Sequence, residues 1–207
     1  FVKFSVPEIN EQLEIYTTRP DTLFGVTFMV IAPEHPLIDK YADKIENMDA
    51  VLEYRQQIAK KTEFERTQLV KDKTGVKLAG IEAVNPLSGK KIPIFIADYV
   101  MMGYGTGAIM AVPAHDQRDY EFAKKFGIDI VQVIEGGNIE EAAYTGDGVM
   151  INSDFLNGFT NKKDSIARAI EEVSKLGIGS AGVQYKMKDW AFNRQRYWGE
   201  PIPLVHC

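Results

Sequence analysis

Two strand-type runs, 76–84 and 91–97, follow each other with only Asn85-Pro86-Leu87-Ser88-Gly89 between them, a stretch with turn chemistry. Successive strands without an intervening helix are the wrong pattern for a doubly wound parallel sheet. The other runs agree. Leu13 to Thr18 alternates, with Leu13, Ile15 and Thr17 on one face and Glu14, Tyr16 and Thr18 on the other, as in a half-buried strand. Leu23 to Ala32 is apolar and rich in β-branched and aromatic residues, and Ala108–Val112, Val131–Ile134 and Val183–Lys188 read as further strands. Helical spacing is confined to three places. Leu37, Tyr41, Ile45, Met48, Leu52 and Ile58 mark two helices broken near Asn47. Tyr120, Ala123 and Phe126 mark one opened by Asp116 and closed by Gly127. Ile166, Ala169, Ile170, Val173 and Leu176 mark one running from Asn161 to Gly177. The expected class is α+β, with a barrel-like β-sheet core and peripheral helices. Residues 62–75 read as a polar connector, and 135–148 as an exposed, glycine-rich and acidic loop.

The chain has 207 residues, 45% of them apolar and 26% charged, enough for a full core without staples. The single cysteine, Cys207, rules out an internal disulfide and fits a reducing, cytoplasmic compartment. The longest uncharged stretch, Tyr99–Ala114, is broken by glycines and a proline and is too short to span a bilayer, so no membrane partner is expected. A net charge of −5 argues against a broad nucleic-acid footprint, though not against a pocket for the end of one strand. The chain opens on Phe1 rather than Met, which points to a piece of something larger.

Several common active sites are missing. His35, His115 and His206 lack zinc-motif spacing, so no metal is expected. No serine sits in a Gly-x-Ser-x-Gly elbow, and no phosphate loop ends in Gly-Lys-Ser/Thr. Gly103-Tyr104-Gly105-Thr106-Gly107 invites a nucleotide-binding reading, but a β-type run ending at Pro113 follows it instead of a helix N-terminus. A tight turn between strands accounts for the same glycines.

Two segments carry unusual chemistry. Tyr16-Thr17-Thr18-Arg19-Pro20-Asp21-Thr22-Leu23-Phe24-Gly25 crowds hydrogen-bonding side chains at a strand end, where Asp21 also suits a simple turn cap. Met110-Ala111-Val112-Pro113-Ala114-His115-Asp116-Gln117-Arg118-Asp119 leads into a helix. Asp119 falls in its first turn, where the helix dipole favours an ionised carboxylate able to receive an ammonium group. Capping is the plainer role for that acid.

Together these segments resemble the connective insertion that edits in bacterial-type leucyl-tRNA synthetases, and the resemblance covers nearly the whole chain. It continues through Asp189-Trp190-Ala191-Phe192-Asn193-Arg194-Gln195-Arg196-Tyr197-Trp198-Gly199-Glu200-Pro201, which looks like the return toward a synthetic core. The sister isoleucyl and valyl enzymes carry a tryptophan where this chain has Arg19-Pro20-Asp21. Asn193 stands where many relatives have Ser, and Ala114 where some have Gly. The resemblance implies an editing domain over 1–188, a return segment over 189–207, and hydrolysis of mischarged tRNA(Leu). Signatures of the synthetic core, of the His-Ile-Gly-His and Lys-Met-Ser-Lys-Ser type, are missing, so aminoacylation is not expected.

By the same resemblance, Asp119 would bind the α-amino group of the misattached residue, and Thr17 and Thr18 would contact the ester and the attacking water. Thr22 would hold its methyl against leucine's γ-branch, with Met110, Val112 and His115 shaping the rest of the pocket beside Asp116. Arg19 and Asp21 would hold the strand end and the tRNA tip, and Tyr104 and Gly105 would lie along the terminal adenosine. The partners implied are the 3′ end of charged tRNA(Leu), non-cognate amino acids as their tRNA esters, and the rest of the parent synthetase; no cofactor is implied. A competing reading is a non-catalytic module for the tRNA end. It rests on Lys186, Lys188, Arg194 and Arg196 interleaved with Trp190, Phe192, Tyr197 and Trp198.

Overall fold

The structure, a computed structural model, describes residues 1–62, 65–66, 73–103 and 105–184. Among these residues six strands form one sheet: β1 (Val2–Val6), β2 (Glu11–Ile15), β3 (Phe28–Ile31), β4 (Gly75–Val84), β5 (Lys91–Ala97) and β6 (Ala108–Ala111). Their order is β2-β1-β4-β5-β3-β6, and only the β3–β5 pair is parallel. The edge strands β2 and β6 bring Cα atoms within 8 Å of each other, so the sheet curls on itself without closing its ladder. The class is α+β, as the strand spacing requires.

The period of two sorts side chains into separate cores. On β3, Met29 and Ile31 enter a large cluster with Phe4, Leu13, Ile94 and Ile96, while Phe28 and Val30 enter a second with Phe95 and Phe122. A strand buried on both faces reads as an unbroken apolar run, which explains the stretch after Leu23. Two peripheral helices, α1 (Pro36–Lys40) and α2 (Met48–Ile58), break at Asn47 as expected. Asn47 instead bridges to β4, donating to the Lys77 carbonyl at 2.8 Å and accepting from Ala79 N at 2.9 Å. Helix α3 (Gln117–Phe126) closes the second core, and α4 (Lys162–Lys175) covers a third built from Val133, Ile134, Met150, Leu156 and Ala169.

Several sequence expectations shift. Strand β1, absent from the sequence-based expectations, has the buried-exposed alternation of a half-buried strand. The strand expected at Leu13–Thr18 ends at Ile15, because the chain turns into a 3-10 helix, Pro20–Gly25. Val131–Ile134 makes no strand; Ile134 forms only an isolated bridge to Met150. Leu52 and Leu176, expected to face inward, stay 43% and 53% exposed; Val51 and Tyr54 bury in place of Leu52, while Ala169 and Val173 are buried as expected. Residues 183–184 are irregular, and the rest of the expected strand at 183–188, like most of the connector at 62–75 and the return segment at 189–207, lies outside the described residues. No helix among the described residues is long and apolar enough to cross a membrane.

Candidate active site

The chain leaves β2 through Tyr16, Thr17 and Thr18 and enters the six-residue 3-10 helix at Pro20, whose fixed φ suits a helix start. Local hydrogen bonds hold that entry. Arg19 N donates to Thr17 Oγ1 at 2.9 Å. The Arg19 guanidinium grips the fully buried Asp21 carboxylate with Nε to Oδ1 at 3.0 Å and Nη2 to Oδ2 at 2.9 Å. A fork on a carboxylate fixes orientation as well as charge. Asp21 therefore serves an ion pair, and the helix has no side-chain cap. Thr22, 3% exposed, turns its hydroxyl back to the Arg19 carbonyl at 3.0 Å, which leaves the methyl as the free group of that side chain.

The second segment runs from β6 into α3. Asp116 caps the helix, its Oδ1 accepting from Arg118 N at 2.8 Å and Asp119 N at 3.2 Å, and Gly127 ends it in the left-handed conformation at φ +64°. Capping is thus done by Asp116, and Asp119 is released from it. The Asp119 side chain, 6% exposed, accepts from Val112 N at 2.9 Å. Burial, reinforced by the Asp116 charge, pushes its carboxyl up to about 7, against the lowering pull of Val112 N–H and Arg118. The helix dipole, worth at most ~2 kcal/mol, is outweighed by desolvation, so the acid is balanced near neutral pH and not held fully ionised as the dipole alone predicts.

His115 is fully engaged by backbone. Its Nε2 accepts from Val133 N at 3.0 Å and Ile134 N at 3.1 Å, so Nδ1 carries the proton and donates to the Tyr144 carbonyl at 2.8 Å. Burial lowers its pKa, consistent with a neutral ring. The ring clamps the 131–151 stretch to the end of β6. That stretch is a built loop around Tyr144: a Cβ on Gly136, Gly137 or Gly146 would stand within 2.7 Å of the tyrosine side chain. The stretch 135–148 is a largely exposed loop, as its composition predicts, and its glycines also allow close approach to the tyrosine ring.

The two segments adjoin. A Cβ on Gly25 would meet Val112 Cγ1 at 3.2 Å and Val133 Cγ2 at 3.1 Å, and Thr27 N donates to the Ala111 carbonyl at 3.3 Å. Met110 sits half-buried on β6 opposite Met29. Thr17 and Thr18 face elsewhere as well: with Tyr16, Pro20, Ile166, Ile170 and Val173 they line a hollow of about 290 Å³ between the strand end and α4. A smaller hollow adjoins Arg19, Asp21 and the start of α4. Thr22 and Asp119 line neither. Gly105 and Gly107 take φ of +67° and +72°, and β6 follows at once, so the glycine-rich segment is a turn between strands. Gly105 is exposed on that turn; Tyr104 lies outside the described residues.

The sequence pattern marks Asn85 only as a turn residue. It is fully buried and reaches across to the 3-10 helix, with Nδ2 donating to the Leu23 carbonyl at 2.8 Å. The Asn-Pro opening of the turn is a signal for a cap, but nothing local reveals the distant partner.

Comparison with known proteins bears directly on this arrangement. The family model described as "Leucyl-tRNA synthetase, editing domain" matches residues 1–174. The chain belongs to this family. A leucine–tRNA ligase of Alkaliphilus oremlandii (strain OhILAs) is 63% identical over 202 residues, 96% of this chain and 25% of that protein. Among solved structures, agnB2 LeuRS of Agrobacterium radiobacter K84, in a ternary complex with tRNA and LeuAMS, superposes with a TM-score of 0.70 at 31% identity. That match covers 100% of this chain and 22% of the LeuRS chain. The chain thus spans about a quarter of the synthetases it matches. In this chain both the 17–22 segment and the β6–α3 segment fall inside the matched residues, on adjoining parts of one scaffold.

Proposed function

We propose that the chain hydrolyses the ester joining tRNA(Leu) to an amino acid other than leucine, after transfer, and refuses the leucyl ester. One observation carries the reading: the 3-10 segment that bears Thr22 packs at Gly25 against Val112, whose backbone N–H holds the buried carboxyl of Asp119, a carboxyl paired with no cation among the described residues. Family membership supports it. A carboxyl balanced near 7 is drawn into its charged form by an arriving ammonium group, so the α-amino group of an aminoacyl ester is the natural partner. Thr22 supplies the methyl that excludes leucine, in a pocket shaped with Met110, Val112 and the rigid His115. Exclusion by bulk at a second site is needed because a hydrophobic pocket separates side chains differing by one methylene by only about 1–3 kcal/mol.

Thr17 and Thr18 contact the ester and a water that attacks its carbonyl carbon. The tetrahedral intermediate then releases the ribose oxygen, which takes up a proton, and the free amino acid departs. An ester is already activated, so holding water and carbonyl in line supplies much of the rate. Hydrogen bonds to the developing oxyanion add more. Arg19, Asp21, Tyr104 and Gly105 position the tRNA end, and Asp116 holds the start of the helix that bears Asp119. The partners are that 3′ end and the remainder of a cytoplasmic synthetase, and this chain alone does not charge tRNA. The test is hydrolysis of Ile-tRNA(Leu) against Leu-tRNA(Leu). Release of isoleucine with leucine retained is expected; retardation of both tRNAs in a gel with no release of either amino acid makes the chain a binding module instead.

A further inference from the structure

The 3-10 helix that carries Thr22 is short, and such helices have poor hydrogen-bond geometry and little stability of their own. Its entry is held by the Arg19–Asp21 pair. Its exit is held from outside the segment. Asn85 Nδ2 donates to the Leu23 carbonyl at 2.8 Å and to the Val26 carbonyl at 3.4 Å, 62 and 59 residues away in sequence. Asn85 Oδ1 accepts from Leu87 N at 3.0 Å and Ser88 N at 3.3 Å. The backbone of the same residue is occupied too, its N–H donating to the Lys90 carbonyl at 2.9 Å and its carbonyl accepting from Gly89 N at 2.9 Å. Every polar atom of a fully buried asparagine is therefore satisfied.

A β-turn does not require that arrangement. Turn formation needs only an acceptor at its first side chain, which aspartate or serine supplies in exposed turns at no burial cost. Burying an amide is unfavourable unless both its donors and its acceptor find partners. Here the donor half does nothing for the turn, and both of its targets are carbonyls at the C-terminal end of the helix bearing Thr22. The two halves of one amide thus join the β4–β5 turn, which is set by the sheet, to the segment that sizes the pocket.

We infer that Asn85 is a positioning residue for specificity: it fixes the exit of the 3-10 helix against the β4–β5 turn and so sets how closely Thr22 approaches the bound side chain. The inference rests on the editing reading of Thr22. Without Asn85 the exit keeps its packing at Gly25 and the Thr27–Ala111 bond but loses the hydrogen bonds to the helix's own last carbonyls, so residues 22–26 can shift locally, and a shift that withdraws the methyl admits leucine before it harms the hydrolysis of smaller esters. Asn85 touches no substrate and acts through Thr22.

The informative variant is Asn85→Asp. Its carboxylate keeps the acceptor for Leu87 N and Ser88 N, so the turn persists, but it has no donor for the two carbonyls. Its protonated form regains one donor. At pH 8 the preference for Ile-tRNA(Leu) over Leu-tRNA(Leu) should fall by about tenfold, the size expected from losing one or two neutral hydrogen bonds. The fall should come from faster leucine release, and lowering the pH should restore part of the preference relative to wild type. Asn85→Ser, which buries no charge and is too short to span to Leu23, should lose preference at every pH. It serves also where the aspartate variant does not fold. Amide hydrogen exchange reads the latch without activity: in either variant the amides of residues 22–26 should exchange faster while those of 87–90 stay protected. Wild-type preference in a folded variant, or unchanged exchange at 22–26, overturns the inference. If wild type releases neither amino acid, the editing reading is what has failed, and the exchange pattern still decides whether Asn85 is the latch.

Discussion

Replacing Asp119 by asparagine should make the protein more stable and less active. The carboxyl is 6% exposed, and its folded pKa stands near 7 against an ordinary 3.8, with burial as the main cause and Asp116 next. A folded value raised above the unfolded one means the folded state prefers the protonated acid. Its contribution is fully present below the unfolded pKa, falls as pH rises, and is lost once pH passes the folded value of about 7. The gap between the two values corresponds to about 4 kcal/mol. The amide of the variant never ionises, and its carbonyl oxygen can still accept from Val112 N, which the aspartate does at 2.9 Å. At pH 8 Asp119→Asn should therefore unfold at higher urea, with a gain approaching 4 kcal/mol and a melting point raised by on the order of 10 °C. At pH 4 the two proteins should be nearly equal, both being neutral at this position. Deacylation of mischarged tRNA should be lost, as an amide cannot neutralise an ammonium. Wild-type activity should correspondingly fall as pH drops through about 7, where the carboxyl takes up its proton. A variant no more stable than wild type at pH 8, or a gap that does not shrink toward pH 4, would refute the claim that this acid is held in the folded protein at a cost.

Other substitutions test the neighbouring parts. Thr22→Ala removes the buried methyl and should raise hydrolysis of Leu-tRNA(Leu) about tenfold or more, whereas Thr22→Tyr should fill the space and stop deacylation of every ester; leucine release unchanged in the first variant denies Thr22 its role. His115→Ala leaves Val133 N and Ile134 N without their acceptor and should cost about 2–3 kcal/mol at pH 8. Because burial lowers the folded pKa of His115, the stability it gives holds above the unfolded value near 6.5 and is lost as pH falls, so the cost should narrow by pH 5. Urea midpoints measure both points, and a gap of constant size across that range counts against the neutral clamp. Gly137→Ala places a methyl 2.6 Å from Tyr144 Cδ2 at a φ of +61° and should destabilise by roughly 1–3 kcal/mol; an unchanged urea midpoint would mean the loop is not built around that ring.

Features set by neighbouring residues were legible in the sequence. Asp116 and Gly127 bound α3 because a cap and a left-handed stop act within one helical turn. The break at Asn47, the paired strands β4 and β5 and the turn before β6 were equally plain, since periodicity and turn chemistry are local. The family resemblance also rested on contiguous residues, and the match over residues 1–174 agrees with it. Short β1, whose only mark is three alternate apolar residues, was not separable from an irregular end. The helical pattern placed Leu52 and Leu176 inside, but an apolar side chain is buried only where another element covers it, and among the described residues these two are covered only in part.

Residue order by itself determined the α+β class and the caps and turns, because each follows from interactions over a few positions. Tertiary structure alone decided the rest. It drove the Asp119 carboxyl up to about 7 by surrounding it, brought Gly25 against Val112, and joined Asn85 to Leu23. Desolvation and long-range hydrogen bonds depend on what the folded chain places nearby, and no spacing along the sequence encodes that distance.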